Sequence, residues 1–374
     1  MGLRKKAETL QVALLCDSED IEGGAHQESI PRDALKALVD DVVLTIRRVA
    51  AIGGFTFDGE MATEDTELTN NDGIYVFDLD KNTWSEFTRN EYNFQTDQYV
   101  DTPVKLPAML FQSTNNGLMA TTLHDGSSLL ATGDDDLSDK SIAYFFKPAD
   151  PYVQFDPFSL ADARKYISRV RTMMVTLLDG RVLRFGGYVR YEAERAHLPV
   201  RNAIYDPSTE KWTEVYMRER VNGEACCIVM DDGNVLLSGG MSNGASGKQC
   251  LILDVKTWKQ AYVADMIFQH SNHAGCLLPN GEVFICGGMS HRGRRTFTCE
   301  IYNPAANKWR LARDMYTPRW DHTCISLGDG RVFIGGDSRN KMQCEIYDTD
   351  TQKSELVPVP PVGLIDYAIV PIYN

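Results

Sequence analysis

Asn280-Gly281-Glu282-Val283-Phe284-Ile285-Cys286-Gly287-Gly288 reads as a tight turn, a short apolar strand and a pair of glycines. The same unit returns as Leu178-Asp179-Gly180-Arg181-Val182-Leu183-Arg184-Phe185-Gly186-Gly187 and as Asp232-Gly233-Asn234-Val235-Leu236-Leu237-Ser238-Gly239-Gly240. A fourth copy is Asp329-Gly330-Arg331-Val332-Phe333-Ile334-Gly335-Gly336. The second glycines of these copies fall 53, 48 and 48 residues apart. A fixed period of this size marks a repeat architecture, in which copies of one supersecondary unit share a core. Two weaker copies lie upstream: Asp125-Gly126 leads to Thr132-Gly133-Asp134, and Arg48-Val49-Ala50-Ala51-Ile52 leads to Gly53-Gly54. The 80 residues from Gly54 to Asp134 hold one unit and an insertion. The count is six.

Each unit has a second half. After a loop of variable length comes a short apolar strand ending in an aromatic residue, then a turn, then tryptophan. Phe77 to Trp84, Tyr205 to Trp212 and Tyr302 to Trp309 are each seven residues apart. Tyr347 and Ser354 keep the spacing without the tryptophan, and Leu253 with Trp258 implies a shorter turn. Four of the five tryptophans thereby share one register. The pattern predicts a four-stranded antiparallel sheet per unit. Asp-Gly and Asn-Gly between apolar runs predict type I′ hairpins, whose central residues both need positive φ. The glycine pair predicts a sharp turn with close backbone packing. One small sheet cannot bury both of its faces, so six stack radially and protect their edges. The first copy lacks the hairpin, because Thr45-Ile46-Arg47-Arg48 stands in its place. Leu364-Ile365-Asp366-Tyr367-Ala368-Ile369-Val370-Pro371-Ile372 resembles the first strand of a unit, with no hairpin following. This C-terminal strand is therefore expected to complete the first sheet and clasp the ring.

Gly-Gly, then tyrosine, then tryptophan at this period resembles the kelch repeat, over residues 45–374. The resemblance implies an all-β fold, a six-bladed kelch β-propeller with four-stranded antiparallel blades, closed by the C-terminal strand. Residues 45–374 are expected to form the propeller and residues 1–44 an N-terminal extension, a flexible arm followed by a short helix. Ser29-Ile30-Pro31 carries the helix start signal, and Leu35, Leu38, Val39 and Val42 give an apolar stripe at helical spacing. Kelch propellers host adaptors, scaffolds and enzymes alike, so the fold does not choose the function.

Of the 374 residues, 43% are hydrophobic and 24% charged, which excludes global disorder. A net charge of -14 repels nucleic acid and anionic membranes on average. No apolar run is long enough to span a bilayer, and Glu8 and Gln11 interrupt what would be a signal-peptide core. Lys6 stands where an N-myristoylation signal needs Ser or Thr. Nine cysteines form no C-x-x-C pair and no zinc spacing. The expectation is a soluble protein of the cytoplasm or another intracellular compartment, with no nucleic-acid partner and no membrane insertion.

Chemistry-bearing residues are sparse. Cys250, Cys299 and Cys344 open third strands, while Cys227 and Cys324 share a first-strand position. Equivalent positions in different blades are too far apart to bridge, so these cysteines read as packing residues. His273 and His322 align with each other, with Ala225 and Thr172 at the matching positions. Two histidines are too few for a ring of metal ligands, and packing near the channel is the simpler reading. Asp134-Asp135-Asp136 with Asp139 lacks the glycine and terminal glutamate of an EF-hand. No tyrosine precedes a histidine, as the galactose-oxidase type of kelch enzyme requires, and the iron pattern E-x-x-x-D-x-x-x-H of nitrile specifiers is absent. No catalytic residue, metal or cofactor is expected. Two alternatives stay open. Sialic-acid mutarotases share the six-bladed kelch plan and use arginine in a central pocket, which implies an enzyme or lectin-like protein for an anionic sugar. A structural subunit of a large assembly is the other.

The loops carry more information. In a propeller, the loops joining strands two and three share a face with the links between blades. Blades five and six carry His291-Arg292-Gly293-Arg294-Arg295 and Arg339-Asn340-Lys341 there. The links add Arg164, Arg169, Arg171, Arg218, Arg220, Arg313 and Arg319. The equivalent loops of blades one and two are acidic, with Asp58, Glu60, Glu64, Asp65, Glu67 and Asp134 to Asp136. Either this face is polarised, or its arginines pair with Glu219, Glu224, Asp314 and Asp321 at little gain. Tyr188, Tyr191, Tyr316 and Trp320 lie in the same loops. The leading expectation is a non-catalytic scaffold or adaptor that binds an acidic segment of a protein partner. Its contact residues would be Arg292, Arg294, Arg295, Arg339, Arg319, Trp320, Arg218, Arg220 and Tyr191. The link over residues 87–117 is too apolar for a disordered loop; it either binds a partner or covers an edge of blade two.

Overall fold

The computed structural model describes residues 46–52, 55–57, 69–70, 73–93, 95–104, 118–132, 143–147, 155–157, 170–188, 202–217, 223–242, 245–290, 293–336, 343–360, 363–365 and 367–372. The arm and helix expected over residues 1–44 lie outside this set. Ile46–Asn374 forms a compact unit of its own.

Among the described residues, six four-stranded antiparallel sheets form the body of that unit, with three smaller sheets beside them. From the inner strand outward, blade one is Ala368–Ile372, Arg48–Ile52, Ile74–Asp78 and Thr83–Glu86. Blade two is Leu118–Thr122, Ser128–Thr132, Ala143–Phe146 and Phe155–Pro157, and blade three is Val170–Thr176, Val182–Tyr188, Asn202–Asp206 and Lys211–Val215. Blade four is Cys226–Val229, Val235–Ser238, Cys250–Leu253 and Gln260–Val263. Blade five is Ala274–Leu277, Val283–Cys286, Cys299–Asn303 and Lys308–Ala312. Blade six is Thr323–Ser326, Arg331–Gly335, Glu345–Asp348 and Lys353–Leu356. Each inner strand lies against those of the two adjacent blades, and the cycle closes through Ala368–Ile372. The expected clasp is thus present, with Arg48 opposite Ile372 and Ile52 opposite Ala368.

Second strands read as apolar runs, interrupted in blade three by the buried Arg184, because both of their faces are covered. In Val283-Phe284-Ile285-Cys286, Val283 and Ile285 pack toward blade four, while Phe284 and Cys286 pack toward blade six. Period-two alternation thereby feeds two interfaces from one strand. The core is accordingly divided into six apolar clusters, one at each junction between neighbouring blades.

The hairpins depart from the type I′ expectation. Among the Asp-Gly and Asn-Gly pairs only the glycines have positive φ, as at Gly180 (85°) and Gly281 (77°). The Gly180 amide donates to Leu177 O and the Leu177 amide to Arg181 O, which makes a type I turn closed by a left-handed glycine. Pro279, at the first central position in blade five, could not take positive φ.

The aromatic–tryptophan spacing is cross-strand pairing. Phe77 lies opposite Trp84, Tyr205 opposite Trp212, Tyr302 opposite Trp309 and Tyr347 opposite Ser354. Trp258 does not belong to this register. Gln260 lies opposite Leu253, and Trp258 occupies the left-handed turn position (φ 57°) held by Asn82, Glu210, Asn307 and Gln352 elsewhere. The turn in blade four is therefore not shortened. Trp84 and Trp309 donate their indole N–H to Pro358 O (2.7 Å) and Ala264 O (2.8 Å), fixing the incoming link of their own blade. In blade six, which lacks the tryptophan, the Tyr347 hydroxyl makes the equivalent bond to Arg313 O at 2.8 Å.

The insertion after blade one contains a two-stranded hairpin, Thr88–Asn93 with Gln98–Pro103. Its base is anchored: the Val104 amide donates to Phe87 O, and Val104 is buried between blades one and two. The strand Gln98–Pro103 is exposed over most of its length, while Phe87 and Val104 at the base of the hairpin pack against Leu130 and Phe146 of blade two.

Candidate functional site

Links and loops interlock on the face predicted to bind. Gly223 pairs with Met241, Gly247 with His270, Ser271 with Met289 and Thr296 with Arg319, each as an antiparallel bridge. The loops of blades four and five are thus each tied by main-chain hydrogen bonds to the links that flank them. Immediately before the inner strands of blades four, five and six stand Glu224, Asn272 and Asp321, with φ of 62°, 53° and 50°. The Asn272 amide donates to Glu224 O (2.8 Å) and the Asp321 amide to Asn272 O (3.0 Å), a chain that runs from blade to blade.

Two buried carboxylates hold the links. Glu300, in the third strand of blade five, accepts the amides of Ile267 and Phe268, both at 2.8 Å, and faces His270 Nε2 at 3.2 Å. The other ring nitrogen of His270 lies 2.7 Å from Gly287 O. Glu345, one blade on, accepts the Tyr316 amide (2.8 Å), Arg319 Nε (3.0 Å) and the Ser354 hydroxyl. Arg319 also donates to Gln343 O. Glu300, Glu345, Arg319 and His270 are essentially inaccessible to solvent. A buried charge is tolerated only when paired and hydrogen-bonded, and both clamps meet that condition.

A third repeated device staples neighbouring blades near the axis. His273 Nε2 lies 2.9 Å from Ser238 Oγ of blade four, and His322 Nε2 lies 3.5 Å from Cys286 Sγ of blade five. In the clasp strand's blade the same place belongs to Tyr367, whose hydroxyl accepts the Gly336 amide at 2.8 Å. Burial holds the His273 imidazole well below its ordinary range and His322 at about 3. The unfolded chain therefore takes up protons first as the pH falls below the usual histidine value of 6.5. Their contribution to stability is complete above that pH and is lost on descending toward 3. The unfolding free energy is expected to drop by up to about 1.4 kcal/mol per pH unit for each histidine. His322→Gln should remove one histidine's share of that slope, measured by urea titration between about pH 6 and 4. An unchanged slope would contradict the assignment.

The predicted contact residues divide. Arg294 is exposed, and the Arg295 guanidinium lies over the Trp320 ring, 5.6 Å from its centroid. Arg319 is 1% exposed and bound to Glu345, so it holds the link from beneath rather than facing a partner. Arg292, Arg339, Arg218, Arg220 and Tyr191 lie outside the described residues, as do the acidic loops of the first two blades. What the sequence reading missed is apolar: Ile267, Phe268 and Phe297 are 44%, 46% and 45% exposed on this face, beside Tyr316, which it had placed in these loops, at 67%. The clamps had a signal in the sequence: Cys-Glu-Ile-Tyr occurs at Cys299–Tyr302 and again at Cys344–Tyr347, placing a charge inside an apolar strand each time.

The eight described cysteines are free thiols, all buried or half-buried. Equivalent cysteines stay apart, but Cys324 of blade six hydrogen-bonds Cys276 and Cys286 of blade five, and these contacts with burial hold its thiol well above the usual range. Burial likewise pushes Cys227 and Cys250 up to about 12. Thiols so placed are poor nucleophiles. Among the described residues no group of His, Cys, Asp and Glu is arranged to hold a metal ion, and no helix is long and apolar enough to cross a membrane.

Comparison with known proteins agrees with this architecture. The family model for the kelch motif matches residues 271–316, which is blade five with its flanking links. Kelch-like protein 23 of Homo sapiens is 26% identical over 207 residues, covering 53% of this chain and 34% of that protein. Kelch-like protein 36 of Rattus norvegicus is 28% identical over 148 residues, 38% of this chain and 23% of that protein. Kelch repeat protein M-T9 of Myxoma virus (strain Lausanne) is 24% identical over 111 residues, 29% and 21% respectively. The chain matches about a third or less of the length of these relatives. Its repeats, with their glycine turns, cross-strand aromatic pairs and C-terminal clasp, are kelch repeats, and the chain belongs with the kelch-repeat propellers.

Proposed function

We propose that this chain is a non-catalytic protein-interaction module, a scaffold or adaptor that receives a protein partner on its loop face. The observation that carries the reading is the interlocked loop layer, which holds Arg294 and the Arg295–Trp320 stack in fixed positions. A surface fixed before binding loses little entropy on association. Likeness to kelch-like proteins supports the same class of function. The buried histidines His270, His273 and His322 hold blades and links together, a structural use that suits a non-catalytic module.

The partner presents an acidic segment. Arginine's planar fork matches a carboxylate bidentately, and a cationic patch on a chain of net charge -14 steers such a segment inward. Arg292, Arg294, Arg295, Arg339, Arg218, Arg220, Tyr191 and Trp320 form the contact set, with Arg319 supporting it. Residues 1–44 are an extension to the propeller of residues 45–374. An intracellular setting suits the free thiols, since reducing compartments keep cysteines unpaired.

Reversing Arg292, Arg294 and Arg295 to Glu tests the reading. Association with a purified partner is expected to slow by about tenfold or more at low salt, and its salt dependence to flatten. Unchanged kinetics would remove this face from recognition.

A further inference from the structure

The four exposed apolar side chains sit on the most firmly held backbone of the loop face. The amides of Ile267 and Phe268 are gripped by the buried Glu300 carboxylate, and the amide of Tyr316 by the buried Glu345. Phe297 lies between these clamps. Its carbonyl accepts the Met315 amide at 2.8 Å, and Thr296 beside it bridges to Arg319. Met266 and Met315, the residues just before Ile267 and Tyr316, are buried as anchors at 1% and 4% exposure. The fold therefore buries charge in order to fix loops whose tips hold hydrophobic side chains in water. Stability alone would favour the opposite: polar tips, and no carboxylate beneath them.

Resting on the interaction-module reading above, we infer that Ile267, Phe268, Phe297 and Tyr316 form a preorganised docking arc across blades five and six for an amphipathic acidic segment of a partner protein. The arc supplies the apolar anchor points that a cationic patch lacks. Exposed Arg294 and Arg313 lie in the loop and link that carry it, and Arg295 is held close by on Trp320. Of the acids on the same links, Asp265 is paired with Lys248 at 3.8 Å, which sets Asp314 and Asp321 against three arginines. That balance selects carboxylates on the incoming segment. The apolar residues of the segment cover the arc and its acids meet the arginines, the arrangement by which amphipathic helices dock in grooves. A basic segment is repelled.

The test uses a fluorescent synthetic peptide of about 20 residues, with leucine and phenylalanine on one helical face and glutamate on the other. A matched peptide with lysine for glutamate serves as control, and binding to the full chain is read by anisotropy. The acidic peptide should saturate and the lysine peptide should not. Phe297→Ser with Tyr316→Ser should weaken binding by about tenfold, and so should Arg294→Glu with Arg313→Glu. Leu178→Ser, on the opposite face, should change nothing, and all variants should melt as the parent does because the altered side chains are exposed. Failure of the acidic peptide to saturate, equal binding of both peptides, or indifference to the Phe297/Tyr316 change would overturn the arc. If a native partner is then still lost on reversing Arg292, Arg294 and Arg295, the interaction-module reading survives without this surface. If the partner ignores both sets of changes, both fall.

Discussion

Deleting residues 364–374 is expected to abolish the cooperative unfolding transition of the whole ring. The strand Ala368–Ile372 is the inner strand of blade one, yet its covalent connection is to blade six. Its side chains serve two junctions: Tyr367 and Ile369 pack between blades six and one, while Val370 and Ile372 pack between blades one and two. Gly335 has no side chain where Ile369 comes closest; a Cβ there would lie 2.7 Å from the Ile369 methyl. Burying an aliphatic side chain contributes about 1.5–3 kcal/mol. Ile369, Val370 and Ile372 together therefore account for an amount comparable to the roughly 5–15 kcal/mol that holds a typical domain. Without the strand, blade one also exposes an inner edge. Urea unfolding followed by circular dichroism and by tryptophan fluorescence should give non-coincident or absent transitions. A truncated chain unfolding like the intact one would show that the ring does not need its clasp.

Arg319→Met should be the most damaging single substitution on the loop face. It leaves the Glu345 carboxylate buried, still gripping the Tyr316 amide, with its cationic partner gone. Breaking a buried pair from one side costs about 3–5 kcal/mol. The denaturant midpoint should fall accordingly, and Tyr316 should lose its fixed position, which weakens partner binding as well. A loss below about 1 kcal/mol would mean that Glu345 is not paired as described.

The fold was legible because its determinants recur. Glycine turns, apolar second strands and aromatic–tryptophan pairs each answer a local geometric need, and each returns in at least three blades. The same reliance on spacing failed where a residue matched the pattern in type but not in place. Trp258 looks like a member of the tryptophan register, yet it fills a left-handed turn position. Gly335 looks like the first glycine of a pair, yet it lies in the strand opposite Thr323, where blade five has Cys286 opposite Ala274. The candidate site was less legible. Arginines in the links were all counted as surface charge, because spacing does not report which guanidinium turns inward to meet a carboxylate two strands away. Arg319 turns inward and Arg294 does not. Glu300 and Glu345 were written in the repeated Cys-Glu-Ile-Tyr, but their role depends on how a link folds over the third strand.

The central claim is that partners meet the loop face, and site-specific photo-crosslinking in cells tests it most directly. A photoreactive amino acid at Phe297 or Tyr316 reports on that face, and one at Leu178, exposed on a hairpin at the opposite end of blade three, reports on the other. Covalent adducts to one discrete protein are expected from Phe297 and Tyr316 and none from Leu178. Adducts from Leu178 alone would contradict the account.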